Sequence, residues 1–74
     1  MKEIFKEAWN YTFSEHTSGD YMLSVVCGGA GLYDFVIRLT PAQITDYKRE
    51  GIPYIARLAE QVRHDQTPFI GQKA

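Results

Sequence analysis

Three stretches of the chain alternate apolar and polar residues with a period of two, which is typical of half-buried strands. The first covers residues 9 to 16, the second residues 20 to 28 and the third residues 32 to 39. In all three the apolar residues occupy odd positions, so the pattern predicts three strands that face a common core. These odd positions are Trp9, Tyr11, Phe13, Tyr21, Leu23, Val25, Cys27, Tyr33, Phe35, Ile37 and Leu39.

The shared parity of these positions limits the turns between the strands. Antiparallel partners have residue numbers with a constant sum, and the sum is even when both partners are odd. Two-residue loops are therefore excluded. The shortest allowed loops are Thr17-Ser18-Gly19 and Gly29-Ala30-Gly31. The third residue of each three-residue loop is a glycine, which suits a turn that needs a positive φ at that position. Five-residue loops also satisfy the parity rule. The predicted pairs are Trp9 with Cys27, Tyr11 with Val25, Phe13 with Leu23, Leu23 with Ile37, Val25 with Phe35 and Cys27 with Tyr33.

The segment after the third strand predicts a capped helix. Thr40 suits the N-cap, Pro41 the first helical position and Gln43 the third, a combination that satisfies free amide groups at a helix start. The helix should begin at Pro41 and end at Gly51, since glycine favours the C-cap. Its inner face should carry Ile44 and Tyr47.

A second helix is predicted from Pro53 to about His64. Its apolar residues recur at intervals of three and four, which is the signature of one buried face. That face comprises Ile55, Leu58, Ala59 and Val62, while Arg57, Glu60, Gln61, Arg63 and His64 should face water. Thr67-Pro68 ends any helix.

The fold expected from these patterns is a single α+β domain of residues 1–74. It contains a three-stranded antiparallel meander in the order 1-2-3, followed by two helices packed on one face. Residues 1–8 could form one helical turn or an irregular lead-in. Residues 66–74 should form a loosely docked tail in which Phe69-Ile70 is an apolar tether.

Composition narrows the classes of function. A chain of 74 residues is near the lower limit for a single core, and a second copy would add buried surface, so we expect a homodimer. The formal charge of −1 gives no basic field, which makes nucleic acid an unlikely partner. A lone cysteine and the lack of a long apolar run predict a cytoplasmic protein without a signal sequence or membrane span.

Catalytic and metal chemistry find little support in the sequence. Cys27 could act as a nucleophile with His16 or His64 as base and Asp34 as orienting group, but its odd position directs it into the core. The spacing of the histidines and the cysteine fits no metal motif. Glu15, Asp20 and Asp34 imply no shared cleft, and Gly28-Gly29-Ala30-Gly31 leads into a strand instead of a phosphate-binding helix. We therefore expect no enzyme, metal, cofactor or small-molecule ligand, with a small Cys27 enzyme as the remote alternative.

The even-numbered side of the sheet is the strongest candidate for function. We expect the helices to leave it uncovered, so that it forms an apolar patch that could contact another protein. The strand at residues 9–16 is also expected at an edge, where it could pair with a copy of itself or with a strand of a partner. The main hypothesis is a protein-binding or oligomerising module, and the alternative is a nucleic-acid-associated regulator that uses Arg38, Lys48 and Arg49. The predicted contact residues are Met22, Val26, Leu32, Val36 and Arg38.

Two families have a similar order of elements. The segment from Glu15 to Val25, followed by a strand and a helix, resembles small antitoxins of the HicB type through its turn Gly19-Asp20-Tyr21. The resemblance covers about eleven residues, lacks the proline-containing second half of that family and implies no functional residue here. A helix, a three-stranded meander and a C-terminal helix also resemble double-stranded RNA-binding domains. The residues 52–57, IPYIAR, lack the basic cluster of that family.

Overall fold

The computed structural model describes residues 2–8, 10–16, 19–28 and 31–73. Its antiparallel sheet has four strands in the order β1-β2-β3-β4, namely β1 (Lys2–Glu7), β2 (Tyr11–Glu15), β3 (Tyr21–Cys27) and β4 (Tyr33–Arg38). Two helices follow, α1 (Pro41–Glu50) and α2 (Ile52–His64), and then a 3-10 helix (Thr67–Gln72). The α+β class is confirmed, whereas the prediction of three strands is wrong.

The additional strand is β1, which lies where the sequence suggested a helical turn or an irregular lead-in. Its register with β2 passes from Glu3 opposite Ser14 to Phe5 opposite Phe13, so Ile4 is the extra residue of a β-bulge. The bulge sets two apolar residues side by side, and this breaks the alternation that reveals the other strands. The strand expected at the edge is observed as β2 (Tyr11–Glu15), and because β1 pairs with it, β2 is an interior strand.

The central hairpins have the register that parity predicts. All five predicted pairs among described residues are present, including Phe13 with Leu23 and Leu23 with Ile37. Gly19 has the expected positive φ of 81°, but in the second hairpin the positive φ of 103° belongs to Gly28 and not to Gly31. The predicted pair Trp9 with Cys27 and the loop residues Thr17, Ser18, Gly29 and Ala30 lie outside the described residues.

The first helix begins at Pro41 as predicted, and both bonds of its capping box are present. The Gln43 amide donates to Thr40 Oγ1 at 3.2 Å, and the Thr40 amide donates to Gln43 Oε1 at 2.9 Å. Gly51 ends α1 with a φ of 81° and donates its amide to the Tyr47 carbonyl. The second helix ends at His64, as expected.

The core lies on the odd-numbered side of the sheet. It combines the inward residues of β2, β3 and β4 with the predicted apolar stripe of α2, and Ile44 and Tyr47 of α1 pack against it. Both helices therefore occupy the same side of the sheet. The buried members are Tyr11, Phe13, Leu23, Val25, Cys27, Phe35, Ile37, Leu39, Ile55, Leu58, Ala59, Val62 and Phe69.

The C-terminal segment, which consists of the 3-10 helix (Thr67–Gln72) and Lys73, runs along β4. Phe69 is buried in the core, Gln72 Nε2 donates to the Arg38 carbonyl at 3.1 Å, and Lys73 forms a β-bridge with Ile37. These contacts cover part of the outer edge of β4. Within the described ranges, the helices are too short or too polar to span a membrane.

Candidate functional site

We define the outer face as the side of the sheet opposite the helices. It carries the even-numbered residues of β2, β3 and β4, together with Glu3 and Lys6 of β1, which pair with Ser14 and Thr12. Alternation places these side chains away from the core because successive residues of a strand point to opposite faces. The outer face is therefore built by all four strands.

The strand register arranges the outer face in two adjacent rows across the sheet. The first row runs from Glu3 on β1 through Ser14 and Met22 to Arg38 on β4. The second row runs in the same order through Lys6, Thr12, Ser24 and Val36. A carboxylate thus stands at one end of the first row and a guanidinium at the other.

A shallow depression of about 420 Å³ lies over these rows. Its lining includes three residues with hydroxyl groups, Thr12, Ser14 and Ser24, and two with apolar side chains, Met22 and Val36. Of these, Ser14 is buried. None of the described residues that line it belongs to a helix, which confirms that this side of the sheet is open. The remaining lining residues are Glu3, Lys6 and His16.

The structure brings together most of the predicted contact residues. Met22 and Val36 line the depression, and Arg38 lies opposite Met22. Val26 follows Ser24 on the outer face of β3 and lies opposite Asp34. Leu32 is separate, because it precedes β4 in the loop, where it is 64% exposed.

Sequence reasoning missed Glu3 and Lys6. Both are exposed side chains at the β1 end of the rows, and they were missed because their strand was not recognised. The charged residues that flank Ile4 and Phe5 are the signal that could have found them. Lysine and glutamate are common on edge strands, where they discourage aggregation.

The charges at the rim of the outer face are largely unneutralised. Within the described part of the chain, no ion pair engages Glu3, Lys6 or Asp34. Arg38 Nε lies 3.9 Å from Asp20 Oδ2, with both side chains well exposed, so this pair is weak. The β1 edge of the outer face therefore carries an acid and a base, Glu3 and Lys6, and strand β4 carries Asp34 and Arg38.

The residues considered for thiol chemistry are not assembled. Cys27 is 3% exposed and belongs to the core, as its odd position predicts. Asp34 is on the outer face, the opposite side of the sheet from Cys27. No cluster of three potential metal ligands occurs among the described residues.

The basic residues considered for nucleic-acid contact lie on separate elements. Arg38 ends β4, while Lys48 and Arg49 lie in the last turn of α1. Arg49 Nη2 is 2.8 Å from Asp46 Oδ1 and 3.3 Å from Glu50 Oε2, so its charge is already compensated. The bond from Arg57, supported by Arg49, holds the pKa of Glu50 below its usual value.

The buried phenol of Tyr11 and the partly buried phenol of Tyr21 offer no acid or base near neutral pH. Burial raises the pKa of Tyr11, and the nearby Glu7 carboxylate raises it further. Burial also raises the pKa of Tyr21, with a further contribution from Glu15. Both phenols therefore remain protonated and act as packing groups, with the Tyr21 ring stacked on Phe13 at 5.7 Å between centroids.

A second depression, of about 480 Å³, lies where the start of α1 meets the C-terminal segment. Its wall includes Gln72, whose Nε2 donates to both the Arg38 carbonyl and Gln43 Oε1. These polar groups hold the C-terminal segment to the rest of the domain, so we assign this depression a structural role and not a binding role.

No protein-family model, curated protein or solved structure matches the chain.

Proposed function

We propose that this chain is a protein-binding module and that the outer face of its sheet makes the contact. The observation that carries the proposal is the open depression lined by residues of the sheet, while both helices pack on the other side. Met22 and Val36 supply apolar area in the depression, and the charged side chains Glu3 and Lys6 line its β1 end. Apolar side chains combined with polar and charged groups are common in protein interfaces.

The face is favoured over the strand edges as the contact surface. The free edge strand β1 carries Lys2, Glu3, Lys6 and Glu7, and its bulge at Ile4 disturbs the row of backbone donors and acceptors. Charges and bulges are the devices that prevent edge pairing. At the other edge, Lys73 already bridges Ile37 on β4.

The test is a charge placed at the centre of the outer face. Ser24→Arg adds a long cation to the depression without removing a core side chain, whereas Gln61→Arg makes the same change in charge on an exposed position of α2. Each purified variant is compared with the wild type by sedimentation velocity over a concentration series, and by quantitative capture of proteins from the native cell extract.

The proposal predicts that Ser24→Arg loses the association seen with the wild type, while Gln61→Arg retains it. Circular dichroism serves as the folding control for both variants. Association that is identical in the wild type and in a folded Ser24→Arg protein would contradict the proposal.

A further inference from the structure

We propose that the partner on the outer face is a second copy of this chain, related by a two-fold axis parallel to the strands. This inference rests on the proposed function and adds the identity of the partner. It starts from the charges at the two ends of one row, Glu3 on β1 and Arg38 on β4.

The two-fold axis follows from the placement of these charges. When two sheets meet face to face about an axis along their strands, β1 of one copy lies over β4 of the other. Residues in one row then face residues of the same row, in reverse order. Glu3 of each copy meets Arg38 of its partner, which gives two symmetric ion pairs.

The second row supports the same arrangement. Lys6 lies over the partner's Val36. The next outer-face residue on that strand of the partner is Asp34. None of the three charged groups Glu3, Lys6 and Asp34 has an ion-pair partner within the described residues. The rim is therefore complementary to itself, and the hydroxyl groups of Thr12 and Ser24 meet at the centre.

The outer face is small, which favours a weak and transient homodimer. Four strands about 4.8 Å apart and about six residues long give a face of roughly 19 by 20 Å. This is small beside the ~800 Å² that each partner contributes to a standard interface. We expect a dissociation constant on the order of 10 to 100 µM, measurable by sedimentation or native mass spectrometry.

Charge reversal tests the pairing directly. Glu3→Arg alone, or Arg38→Glu alone, sets like charges against each other twice and should weaken the homodimer at least about tenfold. An equimolar mixture of the two variants restores both ion pairs in the heterodimer. The double variant E3R/R38E restores them in a homodimer. We expect both to associate within about threefold of the wild type.

Lys48→Glu is the matched control, because it changes the net charge as Arg38→Glu does but lies on α1. It should dimerise like the wild type and should form less heterodimer with Glu3→Arg than Arg38→Glu does. A mixture that stays monomeric, or a heterodimer equally strong with Lys48→Glu, would overturn the strand-parallel pairing. A wild type that is monomeric at 1 mM would overturn self-association, while loss of a different captured protein in Ser24→Arg would leave the proposed function intact.

Discussion

Arg63 on α2 donates a hydrogen bond from Nη2 to the main-chain carbonyl of Asn10, at 3.0 Å. Its Nε donates to the carbonyl of Val26 at 3.2 Å, and its guanidinium also contacts Asn10 Oδ1. One partly buried side chain therefore joins the second helix to the entrance of β2 and the end of β3. This bond network adds polar contacts between the second helix and the sheet to the apolar packing of Ile55, Leu58, Ala59 and Val62.

Arg63→Ala should destabilise the protein by about 1.5 to 3 kcal/mol, because it removes charged hydrogen bonds from two carbonyl groups. Arg57→Ala, on the exposed side of the same helix, should cost clearly less, because its ion pair with Glu50 is screened by solvent. Urea denaturation monitored by circular dichroism measures both. Equal losses in the two variants would show that the Arg63 bonds contribute no more than a surface ion pair.

Gly28→Ala should destabilise the second hairpin by about 1 to 3 kcal/mol. A Cβ at Gly28 would lie 2.2 Å from the Gly31 carbonyl oxygen, and the φ of 103° is one that other residues rarely adopt. Gly31→Ala is the matched control, since its Cβ would meet no atom within 4 Å. It should change stability by less than about 0.5 kcal/mol. Thermal unfolding of both variants decides which glycine the turn requires.

Thr40→Ala should lower the free energy of unfolding by about 0.5 to 2 kcal/mol through loss of the capping box. Thr45→Ala offers a comparison within the same helix, because its hydroxyl only donates back to the Pro41 carbonyl. That change should be nearly neutral. A denaturation series in which Thr45→Ala is the more harmful variant would contradict the assigned role of Thr40.

The stability of the folded protein at acidic pH should depend on Glu50. Its pKa is lowered in the folded protein, first by the bond from Arg57 and then by Arg49, so the carboxylate form is favoured. This contribution is complete above the ordinary pKa of 4.5 and is lost as the pH falls through the lowered value. Glu50→Gln should flatten the dependence of the melting temperature on pH in that range only. An unchanged dependence would show that the ion pair does not persist in solution.

Cys27 should react with a thiol reagent only when the protein unfolds. Its burial in the core predicts native labelling at least about a hundredfold slower than labelling in denaturant. The reaction is followed by absorbance at pH 7 with and without urea. Rapid stoichiometric labelling of the native protein would revive the alternative of a small thiol enzyme.

The sequence predicted those strands and helices in which apolar residues recur at one regular spacing without interruption. Leu23 and Val25 alternate cleanly, so parity yields their partners on both sides, and the stripe from Ile55 to Val62 yields the buried face of α2. The capping residue Thr40 gives the start of α1. In each case the signal is local and repeats over several residues.

The failures have equally specific causes. Ile4 interrupts the alternation of β1, and this bulge hid both the fourth strand and its outer-face charges. Arg63 was expected to face water, because its position on the helix does not reveal that the carbonyl groups of Asn10 and Val26 lie within its reach. Gly28 has a positive φ and lies close to the Gly31 carbonyl, and parity describes neither feature.

The most direct measurement of the central claim is the methyl NMR spectrum of the wild type over a dilution series. The methyl groups of Met22 and Val36 report on the outer face, while those of Ile44 and Ile52 report on the helical side. We expect the resonances of Met22 and Val36 to shift between 1 mM and 20 µM while those of the two isoleucines stay constant. Shifts confined to the isoleucines, or no shift at any concentration, would contradict the account.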